Sequence, residues 1–268
     1  MHKRFAMIIE SSNVRGQADL PGARRDAMNW RSFLMSDLGG AWRSDEIVVL
    51  NKPSSTTIKG LLNTYNDRYV FLAFSGHGYE DYNPYSRTYV TKICLNDSEQ
   101  DVAIDGISPG RWGTAVFDCC RGVENGQGHI KIANESFSAT RRSTFGATMD
   151  SAEYLIANSA NFRTQIQEKI GKVFLQEIES MTTHAAVRMY SCGRDESAGE
   201  DPNAGGYYTT LLIQGAKTWG EAQRTSKVYS VYNTKQAHDF AVEAMQEVNS
   251  EQHPEYDPSW QAYPFAIG

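Results

Sequence analysis

Apolar runs and helically spaced apolar positions alternate along the first half of the chain. Residues 4–9, RFAMII, form a nearly unbroken apolar run suited to a strand buried on both faces. Next, Ala23, Ala27, Trp30, Leu34 and Leu38 fall at helical spacing, and Gly39-Gly40 supplies a stop. EIVVL (46–50) reads as a second strand and SSTTIKGLLNTY as a helix opened by a serine cap. YVFLAFSGHG (69–78) is a third strand that enters a glycine turn. Such alternation predicts a parallel α/β sheet.

Two more polar segments, TYVTKICL (88–95) and QDVAIDG (100–106), predict hairpin strands beside that sheet, and TAVFD (114–118) a fourth core strand. From 121 to 150 the pattern dissolves into Gly, Ser, Asn and Thr, and loops this long inside a domain are usually functional or disordered. Helical spacing returns over 151–180. AAVRMYSC (185–192) reads as a fifth strand, and GGYYTTLLIQGAK opens a helix behind two glycines. Ala237, Phe240, Ala241, Ala244, Met245 and Val248 share one face of a further helix, and the closing SWQAYPFAIG reads as a last strand. No repeat, linker or low-complexity tract divides the chain, which predicts one domain over 1–268.

Composition narrows the function classes. With 268 residues, 40% of them hydrophobic, the chain can bury a large core. Its net charge of −6 argues against a protein that coats nucleic acid. No apolar run approaches the roughly 20 residues that span a membrane, and the first residues carry too short an apolar stretch for a signal-peptide core. Four cysteines (Cys94, Cys119, Cys120, Cys192) in so long a chain do not form a disulfide framework. The expectation is a cytoplasmic protein with reduced thiols, and without nucleic-acid or membrane partners.

Chemistry gathers where two apolar strands end. The third ends in SGHG, the fourth in DCCRG. Ligands of open α/β sheets bind beyond the carboxyl ends of the strands, so His77 and Cys120 can meet although far apart in sequence. A cysteine within reach of an imidazole can become a thiolate and attack a carbonyl. The Gly78 N–H could polarise the resulting oxyanion. Adjacent cysteines point to opposite faces of a strand and cannot easily share a tetrahedral metal; no CxxC is present, so no metal site is expected.

FSGHG followed by FDCCRG resembles the caspase-like cysteine peptidases, most closely their metacaspase and orthocaspase branch. LPGARRDA (20–27), YSCGRDESAGED and GGYYTTLL extend the resemblance over most of the chain in the family's order. It implies a caspase-hemoglobinase fold: α/β, three-layer α/β/α, with a mainly parallel six-stranded central sheet and a small accessory hairpin. A large-subunit-like part (1–120), a loop that is a candidate processing segment (121–150) and a small-subunit-like part (151–268) would follow. In the family the nucleophile stands two after the aspartate and directly before the Arg/His-Gly pair, which is Cys120. His77 would be the base, with the Gly78 and Cys120 N–H groups as oxyanion hole, and Cys119 would be packing.

The resemblance also bears on specificity. Caspases hold a substrate aspartate with Arg and Gln, where this chain has Leu20 and Asp118; metacaspases line that pocket with acids and a serine, here Asp26, Asp118 and Ser75. Two buried carboxylates repel unless a cation arrives between them, so cleavage after Arg or Lys is expected. A peptide or protein substrate would lie extended against the strand near 187–192, beside Tyr190 and Ser191. Arg141 and Arg142 are candidate self-cleavage sites, and a regulatory partner protein is implied because no sensor domain is visible. Many metacaspases need Ca²⁺, but Arg194 stands where one acidic ligand is expected, so no cofactor is assigned. Rival readings are an Asp-specific protease, a silent caspase-fold scaffold, and a flavodoxin-like enzyme; the last lacks a Gly-rich phosphate loop after the first strand.

Overall fold

The computed structural model describes residues 3–85, 87–123, 156–223 and 228–268, and side chains over the same residues except 156–163. Three strands are buried along their whole length: β1 (Arg4–Ser11), β3 (Tyr69–Gly76) and β7 (Gly113–Asp118). They are the chain's most continuous apolar runs, so they sit inside a sheet covered on both faces. β2 (Ile47–Asn51) flanks β1, and β8 (Val187–Tyr190) flanks β7. These five run parallel, and β12 (Glu255–Asp257) closes the β8 edge antiparallel, giving the order β12-β8-β7-β3-β1-β2.

The sheet has the six strands expected, but its sixth is not the chain's last segment. β13 (Pro264–Ile267) pairs instead with β11 (Val231–Asn233), away from the main sheet. β12 is short and polar, as an edge strand can be, and carries no apolar signal. The accessory unit is also larger than a hairpin. β4 (Gly78–Asn83) leaves His77 at once and joins β5 (Thr88–Ile93) and β6 (Val102–Ala103) in a three-stranded antiparallel sheet.

Pleating divides the core into two layers. Ala6, Ile8, Phe71, Ala73, Val116 and Met189 face α1 (Pro21–Met35), α3 (Ile156–Glu179), α4 (Tyr207–Gln223) and α5 (Thr234–Val248). Met7, Ile9, Leu72, Phe74 and Phe117 face α2 (Ser55–Thr64) and the accessory strands. α1 starts on Pro21, where a missing N–H costs nothing, and buries Trp30 against Phe71 and Phe265 at ring distances of 5.2 and 6.0 Å. It ends at Met35, before the two glycines, because Ser36 turns extended. α2 is capped by Ser54, whose Oγ accepts the Thr57 N–H at 3.1 Å, and α5 by an Asn233–Gln236 capping box. Among the described residues no helix is long and apolar enough to cross a membrane.

Candidate active site

β3 and β7 are neighbours with Ser75 opposite Asp118. His77 and Cys120 each stand two residues beyond that pair, just past the ends of the two strands, so the parallel register brings both to the same end of the sheet. Gly78 tightens the fit: a Cβ there would lie 2.7 Å from Cys119 Sγ and 2.9 Å from the Cys120 carbonyl oxygen. Only glycine allows the chain after His77 to press against the chain at Cys120. His77 and Cys120 are both half-buried, whereas Gly76, Gly78, Cys119 and Arg121 around them are buried.

The imidazole is oriented by its own second nitrogen. His77 Nε2 lies 2.7 Å from the Ala18 carbonyl oxygen. A carbonyl only accepts, so Nε2 carries the proton and Nδ1 is left with a free lone pair. Ala18 is fixed for this task by a loop pinned at both ends: Leu20 N–H donates to the Ser12 carbonyl at 2.9 Å and Arg15 N–H to Asp97 at 2.9 Å. Burial pushes the His77 pKa below the ordinary imidazole range, which keeps the ring neutral near pH 7. Ala18 was not foreseen, because a backbone acceptor on a loop leaves no residue-type signal.

Cys119 and Cys120 take opposite faces, as strand alternation requires. Cys119 is 2% exposed among Phe117, Ile93 and Leu95, and burial raises its thiol far above the usual range. Cys120 is on the face of Asp118. Its Sγ accepts the Ala198 N–H at 3.4 Å, and burial raises its pKa as well. Arg121, next in sequence, is buried in a polar knot with Glu80 (2.6 Å), Glu255 (2.5 Å) and the Cys192 carbonyl (3.2 Å), its guanidinium over the Tyr190 ring.

Beneath the pair lie the acids. Asp26 and Asp118 are 1% and 6% exposed. Asp26 accepts from Ser75 Oγ at 3.0 Å and from the Gly206 N–H at 2.9 Å. Asp118 accepts both the N–H and the hydroxyl of Thr209, at 3.1 and 2.7 Å, in the first turn of α4. Burial raises both carboxyls above the usual range, and Asp118 adds to the shift of Asp26. A third acid joins them. Glu200 lies on β9 (Glu200–Asp201), paired with β10 (Gly205–Gly206); burial raises its pKa, the Asp118 charge adds to the rise, and Gly22 and Ala23 N–H groups oppose it.

This hairpin lies against both acids. A Cβ on Gly205 would run into the Asp26 carboxylate, and one on Gly206 into that of Asp118. Gly205 also holds φ at +114°, which favours glycine. The two glycines so let the hairpin backbone lie directly against both carboxylates. Glu200 was missed in the sequence because two-residue strands have no readable periodicity.

Tyr190 and Ser191 are placed differently from the acids. Tyr190 lies under Arg121 on the accessory side of the sheet, and Ser191 is fully buried, exchanging hydrogen bonds of 3.1 Å with the Cys119 N–H and carbonyl. Arg141 and Arg142 lie outside the described residues. Arg194, in the loop where calcium ligands were considered, is exposed. Among the described residues no group of three or more His, Cys, Asp or Glu side chains is arranged to hold a metal ion.

Comparison with known proteins bears on the family and the fold. A family model described as the caspase domain (Peptidase C14) matches residues 3–262. No curated protein matches the sequence. Among solved structures, protein GSU0716 from Geobacter sulfurreducens shares 13% identity over 99% of both chains with a TM-score of 0.56, a likeness of fold alone.

Proposed function

The chain belongs to the caspase domain family, and from that membership we propose that it is a cysteine endopeptidase cleaving after Arg or Lys. The observation that supports the specificity is the burial of Asp26 and Asp118 close enough for their charges to interact, with no cation in an ion pair with either among the described residues. A substrate guanidinium or ammonium entering between them would neutralise the repulsion and accept their lone pairs. Ser75 would fix Asp26, and Glu200 would add a third carboxylate from the facing loop.

Chemistry then follows from the strand ends. His77 Nδ1 takes the Cys120 thiol proton while Nε2–H stays on the Ala18 carbonyl. The thiolate adds to the scissile carbonyl, and the Gly78 and Cys120 N–H groups hold the oxyanion. His77 returns the proton to the leaving amine as the C–N bond breaks. Water, deprotonated by the same nitrogen, then releases the acyl group and regenerates the thiol. Before any of this the hairpin 200–206 and Ala198 must withdraw, since they occupy the acid pair and the sulfur. The resting arrangement is therefore latent, which fits control by a partner protein or by cleavage at Arg141 or Arg142.

The test is hydrolysis of fluorogenic peptides ending in Arg, Lys or Asp by the wild type and by Asp118→Asn, with and without Ca²⁺. Cleavage after Arg or Lys that Asp118→Asn abolishes supports the reading. Cleavage only after Asp would overturn the cation pocket and leave the thiol chemistry standing.

A further inference from the structure

A second concave site lies at the opposite end of the sheet. There α2 meets the starts of β3 and β7 around a cavity of about 340 Å³. Lys59, Arg68 and Arg111 line it together with Asn63, Asn66 and Trp112, and no carboxylate does. In a chain of net charge −6, three cations around one hollow call for an account.

The neighbouring acids offset these charges only in part. Asp67 comes no closer than 3.8 Å to Arg68 Nε, with its side chain 65% exposed. Asp105 is paired with Arg188 at 3.1 Å; Glu99 accepts the Ser55 N–H and hydroxyl at 2.7 Å each and feels the Lys59 charge without forming an ion pair with it. Among the described residues Lys59 and Arg111 form no ion pair. Arg68 Nε and Trp112 Nε1 are buried donors with no hydrogen-bond partner among the described residues. The hollow itself is firmly framed, since Arg68 lies over the Tyr65 ring and the Val70 N–H donates to the Trp112 carbonyl at 3.1 Å.

We propose that this cavity binds a small phosphorylated molecule. Two guanidinium forks and an ammonium suit the several oxygens and multiple charge of a phosphoryl group better than a single carboxylate. The volume falls in the range of roughly 300–1,000 Å³ typical of small-molecule sites, larger than a bare ion needs, and Trp112, Leu62 and the asparagine amides offer a surface for the remainder. The site bridges the starts of the two strands that carry His77 and Cys120 at their far ends.

Calorimetric titration of the full chain with pyrophosphate, adenosine monophosphate and citrate tests this without reference to proteolysis. Saturable binding of the phosphoryl probes is expected, weakened about tenfold or more by Lys59→Glu and by Arg111→Glu, the loss of one charged hydrogen bond each. Both side chains are exposed, so their reversal leaves the core intact. Arg31→Glu, on the exposed side of α1, is expected to change nothing. Absence of saturable phosphoryl binding would overturn the proposal. So would citrate binding of equal strength, or an equal loss in Arg31→Glu, which would reduce the effect to diffuse charge.

Discussion

The Ala198 N–H donates to Cys120 Sγ at 3.4 Å, so the sulfur proposed as the nucleophile is engaged by its own chain. Burial holds the thiol pKa above its ordinary range and the His77 pKa below its own, which makes the resting pair thiol and neutral imidazole. Alkylation of Cys120 by iodoacetamide at pH 7 is therefore expected to run about tenfold or more slower than that of a free cysteine. A small guanidinium compound that draws the hairpin off the acids should speed it. Mass spectrometry of the labelled peptide reads both rates. Labelling as fast as free cysteine would remove the latent state.

The two cysteines separate cleanly by consequence. Cys120→Ala removes the proposed nucleophile and is expected to abolish peptide cleavage while leaving the unfolding transition nearly unchanged. Cys119→Ala deletes a sulfur packed at 2% exposure, which costs about 1 kcal/mol as a small core cavity, and activity should persist. Parallel melting curves and turnover assays check both halves. Activity lost in Cys119→Ala but kept in Cys120→Ala would exchange their roles.

What could be read from the sequence follows from where the signal lies. β1, β3 and β7 announce themselves because a strand buried on both faces must be apolar throughout. His77 and Cys120 stand out as candidates because a glycine follows His77 directly and Cys120 after one intervening residue, each at a strand end. β12 was invisible: Glu255, Tyr256 and Asp257 pair only at an edge, and their partners Tyr190, Met189 and Arg188 lie some 65 residues away. Glu200 and the Ala18 carbonyl were hidden for a related reason. Their roles depend on loops folding back across the sheet, and neither loop has a period.

Neutrality of His77 has a kinetic consequence. Its base form persists on the acid side of the ordinary imidazole range, because burial disfavours the imidazolium. The acid limb of kcat/KM for an Arg-ended peptide is thus expected below pH 6.5, the value for an unperturbed histidine. A limb at or above that value would indicate that substrate binding, or another group, controls it.

Arg121 is the point where the strand leading to Cys120 is tied to the rest of the fold. Its guanidinium pairs with Glu80, itself 1% exposed, and with Glu255 of β12. Arg121→Met would leave Glu80 charged and buried, and a cost of about 3–5 kcal/mol is expected in denaturant unfolding. Adding Glu80→Gln should restore a large part of it, since the stranded charge is then gone. A single variant as stable as the wild type would show the ion pair to be dispensable.

The acid pair sets stability against activity. The Asp26 pKa is raised on folding, by burial first and by the Asp118 charge second. A group raised in the folded state contributes most below the usual aspartate range, and that contribution is lost as pH rises through the raised value. Asp26→Asn removes the repulsion while an amide can still accept from Gly206 and donate to Ser75 Oγ. At pH 7.5 the variant is expected to melt about 2–4 °C higher, the equivalent of about 1 kcal/mol. The gain should shrink as pH falls toward 4, where the wild-type carboxyl is protonated as well. Cleavage after Arg should fall about 100-fold or more, because one partner of the desolvated charge pair is gone. A variant that melts lower at every pH and still cleaves after Arg would remove the cation pocket from the site.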